Sequence, residues 1–261
     1  MAQVKAIVLR AAGINCDMET EHALELAGAS AERVHINRMI EDKRLLDGVQ
    51  IIVFPGGFSY GDDIAAGKIL ANQVIHHLSE ALGKFINEGK LVLGICNGFQ
   101  VLVKAGILPG NNSSKEGQSV TITYNDSGKF EDRWVYLAPQ TERCIFIEAG
   151  RQIYLPIAHG EGKVVTYDEE VLEQLKAEGH VAFKYVDENG HEGEYPVNPN
   201  GSVDSIAGLT DSTGRVLGLM PHPERHVRHT QHPHWSRLEG KKDGDGMGIF
   251  ANAVRFIREN F

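Results

Sequence analysis

Cysteine is scarce in this chain. There are three in 261 residues, Cys16, Cys96 and Cys144, too few and too scattered for a disulfide framework. That points to a reducing compartment, the cytoplasm. Positive charge is also in deficit. The formal net charge of −9 excludes the basic face of a nucleic-acid binder. No apolar run approaches the roughly 20 residues of a membrane-spanning helix. The start, Met1 to Ala6, runs straight into a strand-like stretch without a signal-peptide core. A Walker-type glycine-rich Lys-Ser/Thr loop is missing, so the sequence offers no such cradle for nucleotide phosphates. Internal repeats and low-complexity linkers are missing too, and residues 1–261 read as one domain.

Short apolar runs alternate with helical periodicity through the first half. Val4–Leu9, Arg33–Ile36, Gln50–Phe54 and Leu91–Ile95 read as strands. Asp17 is expected to cap a helix that ends at Gly28, and Gly67–Glu88 reads as one long helix. This alternation predicts an α/β fold, a central mostly parallel sheet flanked by helices. After Gly110 the pattern changes. Strands are expected at 119–124, 133–137, 144–148, 152–157, 180–186, 205–209 and 215–220, as extra antiparallel elements, with helices at 168–178 and 249–260. Residues 226–248 read as an extended surface loop before the C-terminal helix.

The most informative stretch is Leu91 to Leu102. An apolar strand breaks at Gly94-Ile95-Cys96-Asn97-Gly98 and resumes with helical spacing at Phe99, Val101 and Leu102. A nucleophile at a strand-to-helix corner is the elbow pattern, with cysteine in place of serine. The helix start that follows favours an anion there. A buried structural cysteine is the alternative, so the rest of the chain has to supply a base. Pro221-His222-Pro223-Glu224 follows the last predicted strand. Pro223 biases His222 toward extended backbone, in which residues i and i+2 project to one side. Glu224 is therefore expected to orient and polarise the His222 imidazole, giving a Cys-His-carboxylate set for acyl transfer. Pro55-Gly56-Gly57 ends the third strand, where a backbone N–H, together with that of Asn97, suits an oxyanion.

These strings, with Phe58-Ser59-Tyr60-Gly61-Asp62 and Gln100, resemble class I (triad) glutamine amidotransferases of flavodoxin-like architecture. Gly13-x-Asn15-Cys16-Asp17, Gly128-Lys129-Phe130, Pro156-Ile157-Ala158-His159-Gly160-Glu161-Gly162 and Asn198 to Ser202 narrow the resemblance. They are similar to glutaminase subunits of phosphoribosylformylglycinamidine synthase. The resemblance implies that Cys96 attacks the amide of L-glutamine to form a thioester, with His222 as base and then acid and Glu224 as its orienter. Gly57 and Asn97 would form the oxyanion hole, and Gln100 would contact the glutamine. Gly56 is expected at the substrate too, and His159, glycine-flanked in His-Gly-Glu-Gly, near the glutamine pocket or the partner interface, with a structural histidine as the alternative. The chain itself would need no cofactor. ATP and Mg²⁺ would belong to a partner synthetase that makes formylglycinamidine ribonucleotide with the delivered ammonia. A small bridging subunit joins the two in multi-subunit members. Alternatives on the same fold are another triad amidotransferase, a stand-alone γ-glutamyl hydrolase, or a non-catalytic regulatory subunit.

Other candidates weigh less. Cys16 lies in a turn without a glycine corner, which suggests packing or a loop role. Cys144 sits in an apolar run and is expected in the core. His222, His226, His229, His232 and His234 crowd together, yet their spacing is irregular and Pro233 breaks any helix. No metal site is read from them. Arg225, Arg228, Arg237, Lys241 and Lys242 make this segment locally basic, which suits partner docking.

Overall fold

A computed structural model describes residues 3–110, 118–238 and 243–261. In chain order its elements are β1 (Lys5–Arg10), α1 (Asp17–Leu26), β2 (Ser30–His35), α2 (Ile36–Glu41), β3 (Ile51–Phe54), α3 (Lys68–Gln73), α4 (Ser79–Asn87), β4 (Leu91–Ile95) and α5 (Asn97–Lys104). Then come β5 (Val120–Tyr124), β6 (Glu131–Pro139), β7 (Ile153–His159), β8 (Glu161–Thr166), α6 (Glu169–Ala177), β9 (Val181–Val186), β10 (Ile206–Thr210), β11 (Val216–Leu219) and α7 (Met247–Asn260).

Nine strands form one sheet in the order β2-β1-β3-β4-β11-β10-β9-β6-β7, and β5 pairs with β8 separately. The first five in that order run parallel, and the remaining pairings are antiparallel. Residue type explains the split. β3 (IIVF) and β4 (LVLGI) are buried at every position, as strands covered on both faces must be. β7 alternates buried with half-buried residues, the signature of a strand with one wetter face. Helix α5 is buried from Asn97 to Val103, so it is a central helix with no solvent stripe. Each fully buried Leu, Val or Phe of this core contributes roughly 1.5–3 kcal/mol relative to exposure.

Strand β11 lies beside β4, with Leu219 in register with Ile95. The segments that leave these two strands therefore emerge side by side, Cys96 from one and His222 from the other.

Several local expectations need correction. Asp17 does not cap α1. Cys16 holds the N-cap position without a side-chain cap bond, and Asp17 instead pairs with Arg10 at 2.9 Å and Arg33 at 3.3 Å. Residues 68–87 are helical as expected, but one π-helical stretch, Val74–Leu78, interrupts the α pattern. The apolar run at 144–148 forms turns rather than a strand. Cys144 and Phe146 are buried there, so the run is apolar because it is core. Strand β8 escapes the sequence reading because its residues, EGKVVT, are half polar and mostly half-buried. Within 226–248, the described residues include two 3-10 turns, His229–Gln231 and Trp235–Arg237. Lys241 and Lys242 lie outside the described residues. The histidines here pack with aromatic rings: His226 and His232 lie 5.0 and 5.8 Å from Trp134, centroid to centroid.

Candidate active site

The strand-to-helix corner holds Cys96 at φ 50°, ψ −106°, a positive-φ conformation costly for any residue with a Cβ. The flanking glycines make it buildable. A Cβ on Gly98 would fall 1.8 Å from the Phe54 carbonyl oxygen. One on Gly94 would lie 2.9 Å from the Gly98 carbonyl. The Cys96 N–H donates to the Leu219 carbonyl at 2.8 Å, which fastens the corner to β11. Cys96 is 5% exposed, and its thiol lies 3.7 Å from the Ala158 carbonyl of β7.

His222 and Glu224 meet as expected, though not by the expected backbone. His222 is extended (φ −103°, ψ 92°), but Glu224 belongs to a 3-10 turn, Pro223–Arg225. That turn, rather than an i, i+2 strand pair, carries Glu224 Oε1 to 2.6 Å from His222 Nδ1. An ionised carboxylate only accepts, so the shared proton sits on Nδ1. Nε2 has no hydrogen-bond partner among the described residues. Burial opposes a charged imidazole, but the Glu224 carboxylate and the neighbouring sulfurs outweigh it, and the pKa of His222 stands well above its ordinary value. The His222 N–H donates to Pro156 O at 2.8 Å. Strand β7 is four strands removed from β11 in the sheet order, yet it returns to wall the site.

The Pro55-Gly56-Gly57 turn lies against the same imidazole. A Cβ on Gly56 would sit 2.7 Å from His222 Cε1 and 3.0 Å from Cys16 Sγ. Gly57 is at φ +143°, packed on Ile14 and Asn15. The N–H groups of Gly57 and Asn97 donate to no protein acceptor among the described residues. The turn is tied to helix α5: the Ser59 N–H donates to Asn97 Oδ1 at 3.3 Å, and Asn97 Nδ2 donates to Asp62 and Gln100, both at 3.0 Å. Gln100 Nε2 in turn donates to Glu161 O at 2.5 Å. Its amide is thus engaged at both ends within the protein. Asp62 faces this cluster, and burial raises its carboxyl pKa.

His159 is buried, with Nδ1 at 3.1 Å from Asn125 Oδ1 and Nε2 unpartnered among the described residues. Burial, then the charge of nearby His222, pushes its pKa down to about 3. It is therefore a neutral imidazole. Its ring fills the space where Gly162 would carry a Cβ, 2.2 Å from Cε1, which explains that glycine.

The sequence reading gives Cys16 a packing or loop role, and the structure packs it against His222. The residue is 1% exposed, and its sulfur lies 3.9 Å from His222 Nδ1 and 3.0 Å from Arg225 Nη2. The available signal is positional: Gly13–Asp17 and Pro55–Gly57 leave the carboxyl ends of neighbouring parallel strands, where sites form in such sheets. Among the described residues, Cys16, His222 and Glu224 are also spaced like metal ligands, within 4.8 Å of one another. The Arg225 guanidinium already sets a fixed cation on that sulfur.

A family profile described as the CobB/CobQ-like glutamine amidotransferase domain matches residues 3–257. The chain is 48% identical to phosphoribosylformylglycinamidine synthase subunit PurQ of Dehalococcoides mccartyi, over 99% of this chain and 100% of that one. It is 40% identical to the subunit of the same name from Methanococcus maripaludis, over 98% of each. A solved structure of PurLQS from Thermotoga maritima matches with a TM-score of 0.73 at 33% identity, covering 98% of this chain and 100% of the matched one. The fold is the class I amidotransferase architecture expected from the sequence.

Proposed function

The chain belongs to the CobB/CobQ-like glutamine amidotransferase family, and from that premise we infer that it is the glutaminase subunit of a phosphoribosylformylglycinamidine synthase in purine biosynthesis. Cys96 is the nucleophile. His222 Nε2 takes the thiol proton, the sulfur attacks the side-chain carbonyl of L-glutamine, and Glu224 stabilises the imidazolium. The Gly57 and Asn97 N–H groups receive the tetrahedral oxyanion. His222 then returns the proton to the leaving nitrogen, ammonia departs, and water hydrolyses the γ-glutamyl thioester by the same route. The observation that carries this reading is the 2.6 Å His222–Glu224 bond beside a cysteine held at positive φ on its own strand-to-helix corner.

Ammonia is mostly ammonium at neutral pH and not nucleophilic, so it has to pass shielded to the partner. That partner is the synthetase subunit, which uses ATP and Mg²⁺ to aminate formylglycinamide ribonucleotide, with a small bridging subunit on the pattern of a PurLQS assembly. Residues 1–261 work as one amidotransferase domain in the cytoplasm. Gly56 packs against the Cε1–Nδ1 edge of the imidazole. Gln100 and His159 support the glutamine pocket from within, since neither offers a free exposed group.

A glutamine-derived electrophile tests the assignment. Mass spectrometry should find a single adduct on Cys96. Cys96→Ala should abolish glutamine-dependent synthesis by the reconstituted complex and spare ammonia-dependent synthesis. An unmodified Cys96, or full glutamine-dependent turnover by Cys96→Ala, would overturn it. Steady glutaminase turnover by the chain alone, indifferent to the synthetase, would favour a hydrolase instead.

A further inference from the structure

Around the Nδ1 edge of the imidazole, the structure brings together four groups from three distant segments. Cys16 comes from the loop after β1, Gly56 from the turn after β3, and Glu224 and Arg225 from the turn after β11. Cys16 Sγ accepts from Arg225 Nη2 at 3.0 Å, lies 3.2 Å from Asn15 Oδ1, and stands 3.9 Å from His222 Nδ1. The Cys16 N–H donates to Gly56 O at 3.2 Å, and its carbonyl accepts from Thr20 Oγ1 at 2.6 Å. Arg225 Nε donates to Glu19 Oε1 at 2.8 Å, which ties the turn bearing Glu224 to helix α1. Gly56 has no room for a Cβ between the ring and the sulfur.

We propose that Cys16 is a positioning residue for His222: its sulfur closes the Nδ1 edge of the ring and excludes water there without competing for the proton that Glu224 holds. The choice of atom matters. A thiol sulfur is a weak acceptor and large enough to fill the space at 3.9 Å. A water in the same place would be a strong partner for Nδ1 and would let the ring exchange Glu224 for solvent. Burial holds the thiol in its neutral form. Cys16 therefore adds no second anion beside Glu224, and the Arg225 guanidinium orients the sulfur lone pairs. The same loop braces the oxyanion turn, since Phe58 N–H donates to Gly13 O at 2.9 Å and Ile14 bridges Gly57. One segment thus sets both the base and the oxyanion donors.

This inference rests on the triad assigned above, and the test separates the two. Cys16→Ala and Cys16→Ser are assayed in the reconstituted complex with glutamine and with ammonia, beside Cys96→Ala. Cys16→Ala is expected to lower glutamine-dependent kcat about tenfold with the glutamine KM within about twofold. The acid limb of its pH profile should move. Ammonia-dependent turnover and the thermal midpoint of the subunit should stay close to wild type. Cys16→Ser puts a hydroxyl, a strong partner of the kind a water would be, beside Nδ1 and should be no better than Cys16→Ala. Wild-type kcat in Cys16→Ala overturns the proposal, as does Cys16→Ser at wild-type kcat. A kcat loss that tracks a fall in thermal midpoint with an unmoved pH profile also overturns it and leaves only packing. If Cys96→Ala keeps glutamine-dependent activity, the triad reading itself fails, whatever Cys16 does.

Discussion

His159 shows how burial alone can set the chemistry of one residue. Its imidazole is sealed under the β7–β8 turn, bonded to Asn125, and carries a pKa of about 3 against an ordinary 6.5. The folded state binds its proton less readily than the unfolded chain does. Stability from this residue is therefore fully present above pH 6.5 and drains away as pH falls toward 3. The limiting slope is about 1.4 kcal/mol per pH unit, or about 2 kcal/mol between pH 7 and pH 5. His159→Gln keeps an amide near Asn125 but has nothing to titrate. Urea melts at pH 7, 6 and 5 should show the stability gap between wild type and variant narrowing by about that amount. Parallel curves would remove His159 as the acid-sensitive group. Cys144, whose thiol pKa burial pushes up to about 12, stays uncharged and needs no such accounting.

At the scale of elements, the elbow is a contact between backbones, and two glycines of this chain make the comparison. Gly98→Ala forces a methyl to within 1.8 Å of the Phe54 carbonyl, where only the β3–α5 packing can give way. A loss of more than about 3 kcal/mol, or failure to fold, is expected. Gly83, in α4, has nothing within 4 Å of the point where a Cβ would sit. Gly83→Ala should raise stability by about 0.5–1 kcal/mol, read from the same denaturation curves. Equal effects at both sites would mean that the elbow is looser than its geometry states.

The same scale explains what is legible in the sequence. β3 and β4 announce themselves because strands buried on both faces must be apolar throughout. The Cys96 corner and the His222–Glu224 contact are readable because corner glycines and a proline-framed His are local signals. The placement of Cys16 against His222 is not, because it depends on a residue 206 positions away and on the adjacency of β1 and β3. The extended His222–Glu224 pairing is right about contact and wrong about backbone, since Pro223 starts a turn as readily as it prolongs a strand. The run at 144–148 reads as a strand because apolarity alone does not distinguish core turns from core strands.

For the molecule as a whole, the parallel half of the sheet carries Cys96 and His222, and the antiparallel half folds back to wall them. The central pair β4–β11 has no exposed residue, whereas residues 234–238 are exposed. Native-state hydrogen exchange should follow that division. Amides of β4 and β11 should exchange only through global unfolding, and those near 229–238 through local opening with little denaturant dependence. Fast exchange along β11 would contradict a rigid seam. The seam has one more consequence, in the order of synthesis. β4 leaves the ribosome more than a hundred residues before β11, and Cys96 therefore spends much of translation without His222, Glu224 or the Leu219 carbonyl that fastens its corner. On the proposed mechanism the nascent chain carries an unarmed thiol, and glutamine hydrolysis cannot begin before the last strand has been inserted beside the fourth.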